Sequence, residues 1–166
     1  KIKIIIDVNW REIFWEKFDI NKDNQFKKVK EFLDHADILK LANEEAYLFF
    51  DTNDPSEISK VLAKQPDVII TNGANPINWY LNGMKGHNEI FKNSSKIIDT
   101  TGAGDAFLAG LISKYYFESN LDDYSKTKEN INFASVCGLL TCFGEGAIEP
   151  QPEEKSIYKF LEGRGL

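Results

Sequence analysis

The chain has 166 residues, of which 42% are hydrophobic and 28% charged, and its formal net charge is −6. That length supports one domain with a real core, and the composition is that of an ordinary globular protein. The acidic balance argues against nucleic acid or an anionic membrane as the main partner. The two cysteines, Cys137 and Cys142, share one apolar run and suggest no disulfide framework, so a reducing cytoplasm is the expected setting. They read as buried thiols, with no histidine or third cysteine nearby to complete a metal site. No apolar run is long enough to span a bilayer, and no signal-peptide pattern is visible. The chain starts without methionine, directly in a strand-like run, and is expected to be a piece of a longer protein.

In chain order, "KIKIII" (1–6) reads as a strand ending at Asp7. "NQFKKVKEFLDHA" (24–36) places Phe26, Val29, Phe32 and Leu33 at helical spacing. "DILKL" (37–41) is a short strand, and "NEEAYLFF" (43–50) a short helix. "DPSEISKVLAK" (54–64) opens on an aspartate cap with proline at the first helical position. "DVIIT" (67–71) is a buried strand, and Asn82-Gly83 centres a hairpin over 77–91. "KII" (96–98) reads as a brief strand, followed by helices over 104–117, 127–142 and 152–163. Strands alternating with helices predict an α/β fold: a mostly parallel sheet covered by helices on both faces, with a β-hairpin edge. Trp10, Trp15 and Trp79 read as packing aromatics, and so do Tyr115, Tyr116 and Phe117. His35 and His87 read as surface residues.

The segment "DTTGAGDAF" (99–107) stands between the strand at 96–98 and the next helix. In open α/β sheets, ligands bind beyond the carboxyl ends of strands. Gly102 and Gly104 permit a tight turn and close approach of a ligand. The amides of Ala103, Gly104 and Asp105 would face an anion at the helix N-terminus. Asp105 is then placed to accept a proton from a hydroxyl. That is the division of labour phosphoryl transfer requires. Taken alone, the same residues also describe a glycine turn followed by a capping acid. A Walker A loop is absent, and Phe107 stands where a dinucleotide fingerprint needs a third glycine.

"DTTGAGDAFLAG" closely resembles the C-terminal signature of the ribokinase-like (PfkB) sugar kinases. "DVNWREIFW" (7–15), "ADILKLANEE" (36–45), "VIITNGAN" (68–75) and "FASVCGLLTCFGEGAIEPQP" (133–152) resemble further family segments in the same order, the first as found in fructokinase-like members. The likeness covers the nucleotide-binding, catalytic C-terminal part of the family's fold, so the chain is expected to be a partial domain lacking the N-terminal substrate and lid part. The resemblance implies ATP, Mg2+ and a monovalent cation, K+, as cofactors. It implies transfer of the γ-phosphoryl of ATP to a sugar hydroxyl, with fructose or a similar hexose as acceptor, and allows a homodimer of the full-length protein.

Roles follow residue by residue. Asp105 matches the catalytic base, and Gly102, Ala103 and Gly104 match the anion hole. Asp99 and Thr101 match residues near the monovalent cation, while Gly146 and Ala147 match the loop that closes that site and borders adenine. Thr71 and Gly73 match contacts to the nucleotide phosphates and ribose, with Asn9 and Arg11 near the phosphates. Ser135 takes the position beside adenine, and Glu45 matches the acid that helps hold magnesium through water. Ala42, Pro76, Ser135 and Glu145 depart from the family pattern. The alternative reading is a nucleotide-binding regulatory or non-catalytic fragment of the same fold.

Overall fold

The computed structural model describes residues 2–16, 22–92, 96–117 and 123–164. The chain divides into two compact units, residues 1–87 and 88–166. The side chains of Trp15, Tyr116 and Phe117 lie outside the described residues.

The first unit holds a five-stranded sheet in the order β1-β2-β3-β4-β5. The strands are β1 (Ile5–Asp7), β2 (Ile38–Ala42), β3 (Asp67–Asn72), β4 (Asn75–Leu81) and β5 (Met84–Asn88). Strands β1, β2 and β3 pair in parallel, and β3 and β4 pair antiparallel. The sheet is therefore mixed, with an antiparallel edge wider than the single hairpin expected. Two short loops make that edge. Gly73-Ala74 turns β3 straight into β4, and Asn82-Gly83 joins β4 to β5 with φ of 49° and 77°. Positive φ at both turn residues is the type I′ pattern that matches strand twist.

Alternation along the strands sorts the two faces. One face presents Ile6, Leu39, Leu41, Val68 and Ile70 to the helices α2 (Lys22–Leu33), α3 (Asn43–Phe50) and α4 (Pro55–Val61), which contribute Val29, Leu33, Ala46, Phe50 and Ile58 to the same core. The register Asp7↔Lys40↔Ile69↔Trp79 defines the other face. Trp79 and Ile69 are fully buried there, as expected for Trp79. Helix α4 starts as its sequence dictates: the Asp54 carboxylate accepts the Ser56 N–H at 2.9 Å, and Pro55 opens the first turn. A further short helix, α1 (Glu12–Glu16), was not expected from the sequence.

The second unit contains α5 (Ala103–Phe117), α6 (Tyr124–Thr141) and α7 (Glu154–Glu162). Ala106, Phe133, Val136, Cys137 and Ile157 form its core. Gly138 lets α6 approach the start of α5, because a Cβ there would lie 2.9 Å from the Ala103 carbonyl oxygen. Helix α7 is held partly by cations on rings. Lys114 sits 4.3 Å from the Phe133 centroid and donates to the Tyr158 hydroxyl at 2.7 Å; Arg164 sits 4.3 Å from the Phe160 centroid.

One expected strand is absent. Residues 96–98 form no strand; the Ile98 N–H instead donates to the Cys142 carbonyl at 2.9 Å. That single loop contact satisfies the amide without a ladder. No helix among the described residues is long and apolar enough to cross a membrane.

Candidate active site

In the second unit, two loops converge at the N-terminus of α5. The Asp99 carboxylate ties them. Its Oδ1 accepts the Thr101 N–H at 2.9 Å and the Thr101 hydroxyl at 2.7 Å, while Oδ2 accepts the Gly146 N–H at 2.9 Å. The Thr101 N–H, its hydroxyl and the Gly146 N–H hold the Asp99 carboxyl below the usual carboxylate range, since each favours the charged form. Gly102 completes the junction. Its φ is +80°, and a Cβ there would meet the Ala147 Cα at 2.8 Å. Only glycine satisfies both the left-handed backbone and the close approach of Ala147.

The turn feeds directly into α5. The Ala106 N–H donates to the Gly102 carbonyl at 2.9 Å and the Ala103 N–H to the Thr100 carbonyl at 3.2 Å. The Ala103 amide is thus taken by the turn. The amides of Gly104 and Asp105 belong to the first helical turn, whose N–H groups the helical ladder does not pair. Asp105 is exposed on that same turn. Helix-terminal amides that the ladder leaves unpaired and a solvent-accessible carboxylate therefore share one turn, with the helix dipole behind them. Ser135, by contrast, is buried in the middle of α6.

In the first unit, Thr71 lies near the end of β3, its hydroxyl 3.4 Å from the Leu41 carbonyl, and Gly73 takes a φ of +54° in the following turn. Asn9 has a φ of +45° just after β1, and Arg11 is exposed. Trp10 stacks on Phe26 with ring centroids 5.3 Å apart and meets Phe49 edge-on at 5.4 Å, which fits the packing role expected of it. Glu45 is buried, with one carboxylate oxygen accepting the Trp10 N–H at 2.5 Å and the other the Ala42 N–H at 2.7 Å. Lys40 is buried too and forms a bidentate pair with Asp7, at 3.0 and 2.9 Å. Sequence reasoning did not single out Lys40. The signal available was a lysine in an otherwise apolar strand whose register partner is an aspartate. Among the described residues, no group of three or more His, Cys, Asp or Glu side chains could hold a metal ion.

The sequence profile of the pfkB family carbohydrate kinases matches residues 2–154. The chain belongs to that family. Among relatives of this PfkB chain, fructokinase-1 of Oryza sativa subsp. japonica is 32% identical over 162 residues, covering 94% of the chain and 48% of the relative. The probable chloroplastic fructokinase-6 of Arabidopsis thaliana is 30% identical over 160 residues, covering 93% and 40%. The chain thus spans about half or less of the length of these curated relatives. A fructokinase from Xylella fastidiosa, solved with bound ATP, superposes with a TM-score of 0.83 at 21% identity, over 99% of this chain and 53% of that one. That likeness establishes the ribokinase-like fold. A double-mutant fructokinase from Vibrio cholerae, solved with fructose, ADP and a potassium ion, gives a TM-score of 0.79 at 25% identity, over 96% and 50%.

Proposed function

We propose that the complete protein to which this PfkB chain belongs transfers the γ-phosphoryl of ATP to a hydroxyl of fructose or a similar hexose in the cytoplasm. The observation that carries this reading is the junction at α5: a turn locked by Asp99 and Gly102 that places two helix-terminal amides beside the exposed Asp105. The fructokinase relatives support the choice of acceptor.

The chemistry assigned to the chain's own residues is simple. The acceptor hydroxyl oxygen forms a bond to the γ-phosphorus as the bond to the β-bridging oxygen breaks, and ADP leaves. Asp105 takes the hydroxyl proton. The Gly104 and Asp105 amides face the charge on the moving phosphoryl group, in the pocket begun by Gly102 and Ala103. Thr71, Gly73, Asn9 and Arg11 serve the nucleotide, with Gly146 and Ala147 on the adenine side.

Magnesium bound with ATP keeps much of its water and needs few protein ligands. Both oxygens of Glu45 already accept amide protons, so that carboxylate fits a magnesium-bound water through its remaining lone pairs. A potassium ion would be held by oxygens around Asp99 and Thr101, where the carboxylate is ionised at neutral pH; when bound, it would add positive charge behind the anion-facing turn. The isolated 166 residues are expected to fold, to bind ATP weakly and to lack sugar kinase activity, because transfer without hydrolysis needs water excluded.

The experiment is ADP release by the complete protein with ATP and a panel of sugars. Fructose-dependent release well above the sugar-free rate supports the reading. Sugar-independent hydrolysis, or none with any sugar despite ATP binding, sinks it and favours a regulatory nucleotide-binding role.

A further inference from the structure

The first unit holds the segment 7–11 more firmly than a surface turn requires. The Asp7 carboxylate is gripped by the buried Lys40 Nζ at 3.0 and 2.9 Å. The Val8 N–H donates to the Lys40 carbonyl at 3.2 Å. Asn9 then turns left-handed, with a φ of +45°. The Trp10 backbone N–H reaches the Glu45 carboxylate at 2.5 Å, and its ring packs against Phe26 and Phe49, which also meet each other. Only after these contacts does the exposed Arg11 follow.

Glu45 is the member of this set that joins two backbones. Its other oxygen accepts the Ala42 N–H at 2.7 Å. Glu45 occupies the third position of α3, so this bond is one half of a capping box; Ala42, without a side-chain oxygen, cannot supply the other half. The freed geometry is used differently. Glu45 is 8% exposed, and a charge so buried requires strong partners. Two amide donors supply them, one from the start of its own helix and one from a turn 35 residues earlier in the chain.

We infer that Glu45 is a positioning residue: it clamps the Asp7–Arg11 turn to the start of α3 and so fixes Asn9 and Arg11 for the nucleotide, in addition to any contact with a magnesium-bound water. The inference rests on the nucleotide role proposed above for Asn9 and Arg11. Its physical content does not. A glutamine at position 45 offers one acceptor oxygen and an amide that repels the second N–H. One of the two backbone bonds must therefore break, while size and reach are kept.

The test uses Glu45→Gln in the complete protein, with backbone amide NMR and ATP binding by calorimetry. The expected result has three parts. The Trp10 or Ala42 amide loses its hydrogen-bonded shift, and exchange protection of the turn falls. ATP binding weakens by about tenfold, the scale of one charge-assisted hydrogen bond. The loss is not additive with that of Arg11→Ala. Glu45→Asp, which keeps the charge and loses the reach, serves if Glu45→Gln fails to fold, and should give the same pattern. Unmoved Trp10 and Ala42 amides overturn the clamp. So do additive losses. If the unaltered protein binds no ATP, the kinase reading fails instead, and the amide measurements still decide whether the clamp exists.

Discussion

Both units use one carboxylate to tie two stretches of backbone, and they differ in its surroundings. Glu45 in the first unit is buried, and its partners are two main-chain amides. Asp99 in the second unit is within reach of solvent and is shared between a threonine and a glycine loop. A hydrogen bond in a low-dielectric interior is stronger and less sensitive to salt than one at the surface. The first tie therefore suits a turn that must keep one shape. The second suits a junction whose shape can answer to an ion or a ligand beside it.

The largest expected effect is chemical and falls in the second unit. Asp105→Asn keeps the size of the side chain and removes the base, so turnover of the complete protein should drop by about two to four orders of magnitude. ATP affinity should hold or tighten, because a negative charge near the phosphates is removed. Next come the glycines, which separate the two units. Gly102→Ala adds both backbone strain and a contact of 2.8 Å with the Ala147 Cα, and should lower stability by about 2–4 kcal/mol. Gly73→Ala has a φ of +54° but nothing within 4 Å of the new Cβ, and should lose only about 1 kcal/mol. Urea midpoints of the two variants check the difference; equal losses would erase the contrast.

Smaller effects concern Asp99. Its folded pKa is depressed by the Thr101 N–H, the Thr101 hydroxyl and the Gly146 N–H. A depressed carboxylate contributes stability above its unfolded pKa, and that contribution is lost as pH falls through the folded value. Wild-type protein should therefore keep the tie at neutral pH and loosen it only in acid. Asp99→Asn should flatten that acid limb and reduce activation by potassium relative to sodium. An unchanged limb and equal activation by both ions in the unaltered protein would break the assignment. The smallest effect is a negative one. Burial raises Cys142 and pushes Cys137 up to about 11, so both thiols should resist alkylation near pH 8 until the protein is unfolded. Rapid labelling of native Cys137 would contradict its place in the α5–α6 core.

Local features were legible in the sequence, and distant ones were not. Asp54-Pro55 announced α4, Asn82-Gly83 announced the β4–β5 turn, and 104–117 read as a helix, because each signal is complete within a few residues. The strand at 96–98 was misread, since an apolar run cannot reveal that its amides go to the Cys142 carbonyl. The antiparallel β3–β4 pair was missed although Asn72-Gly73 stands at its turn: the loop residues are Gly73-Ala74, of which only Gly73 takes a positive φ, so the turn lacks the two-residue pattern seen at Asn82-Gly83. The turn at 99–105 was visible as a motif. The association of Asp99 with Gly146, 47 residues apart, came only through the family resemblance, and the bond from Trp10 to Glu45, 35 residues apart, was not visible at all. Such contacts depend on the fold, and spacing does not encode them.

Under the proposed function, the turn at α5 would do the chemistry and the clamped turn after β1 would hold the nucleotide. Steady-state kinetics and ATP calorimetry on Asp105→Asn and Glu45→Gln, side by side in the complete protein, test that division most directly. The expected split is a turnover loss of about two to four orders of magnitude with ATP affinity kept for Asp105→Asn, and a loss of ATP affinity larger than any loss of turnover for Glu45→Gln. If Asp105→Asn turns over at a near-normal rate, Asp105 is a helix-capping acid and the division is wrong.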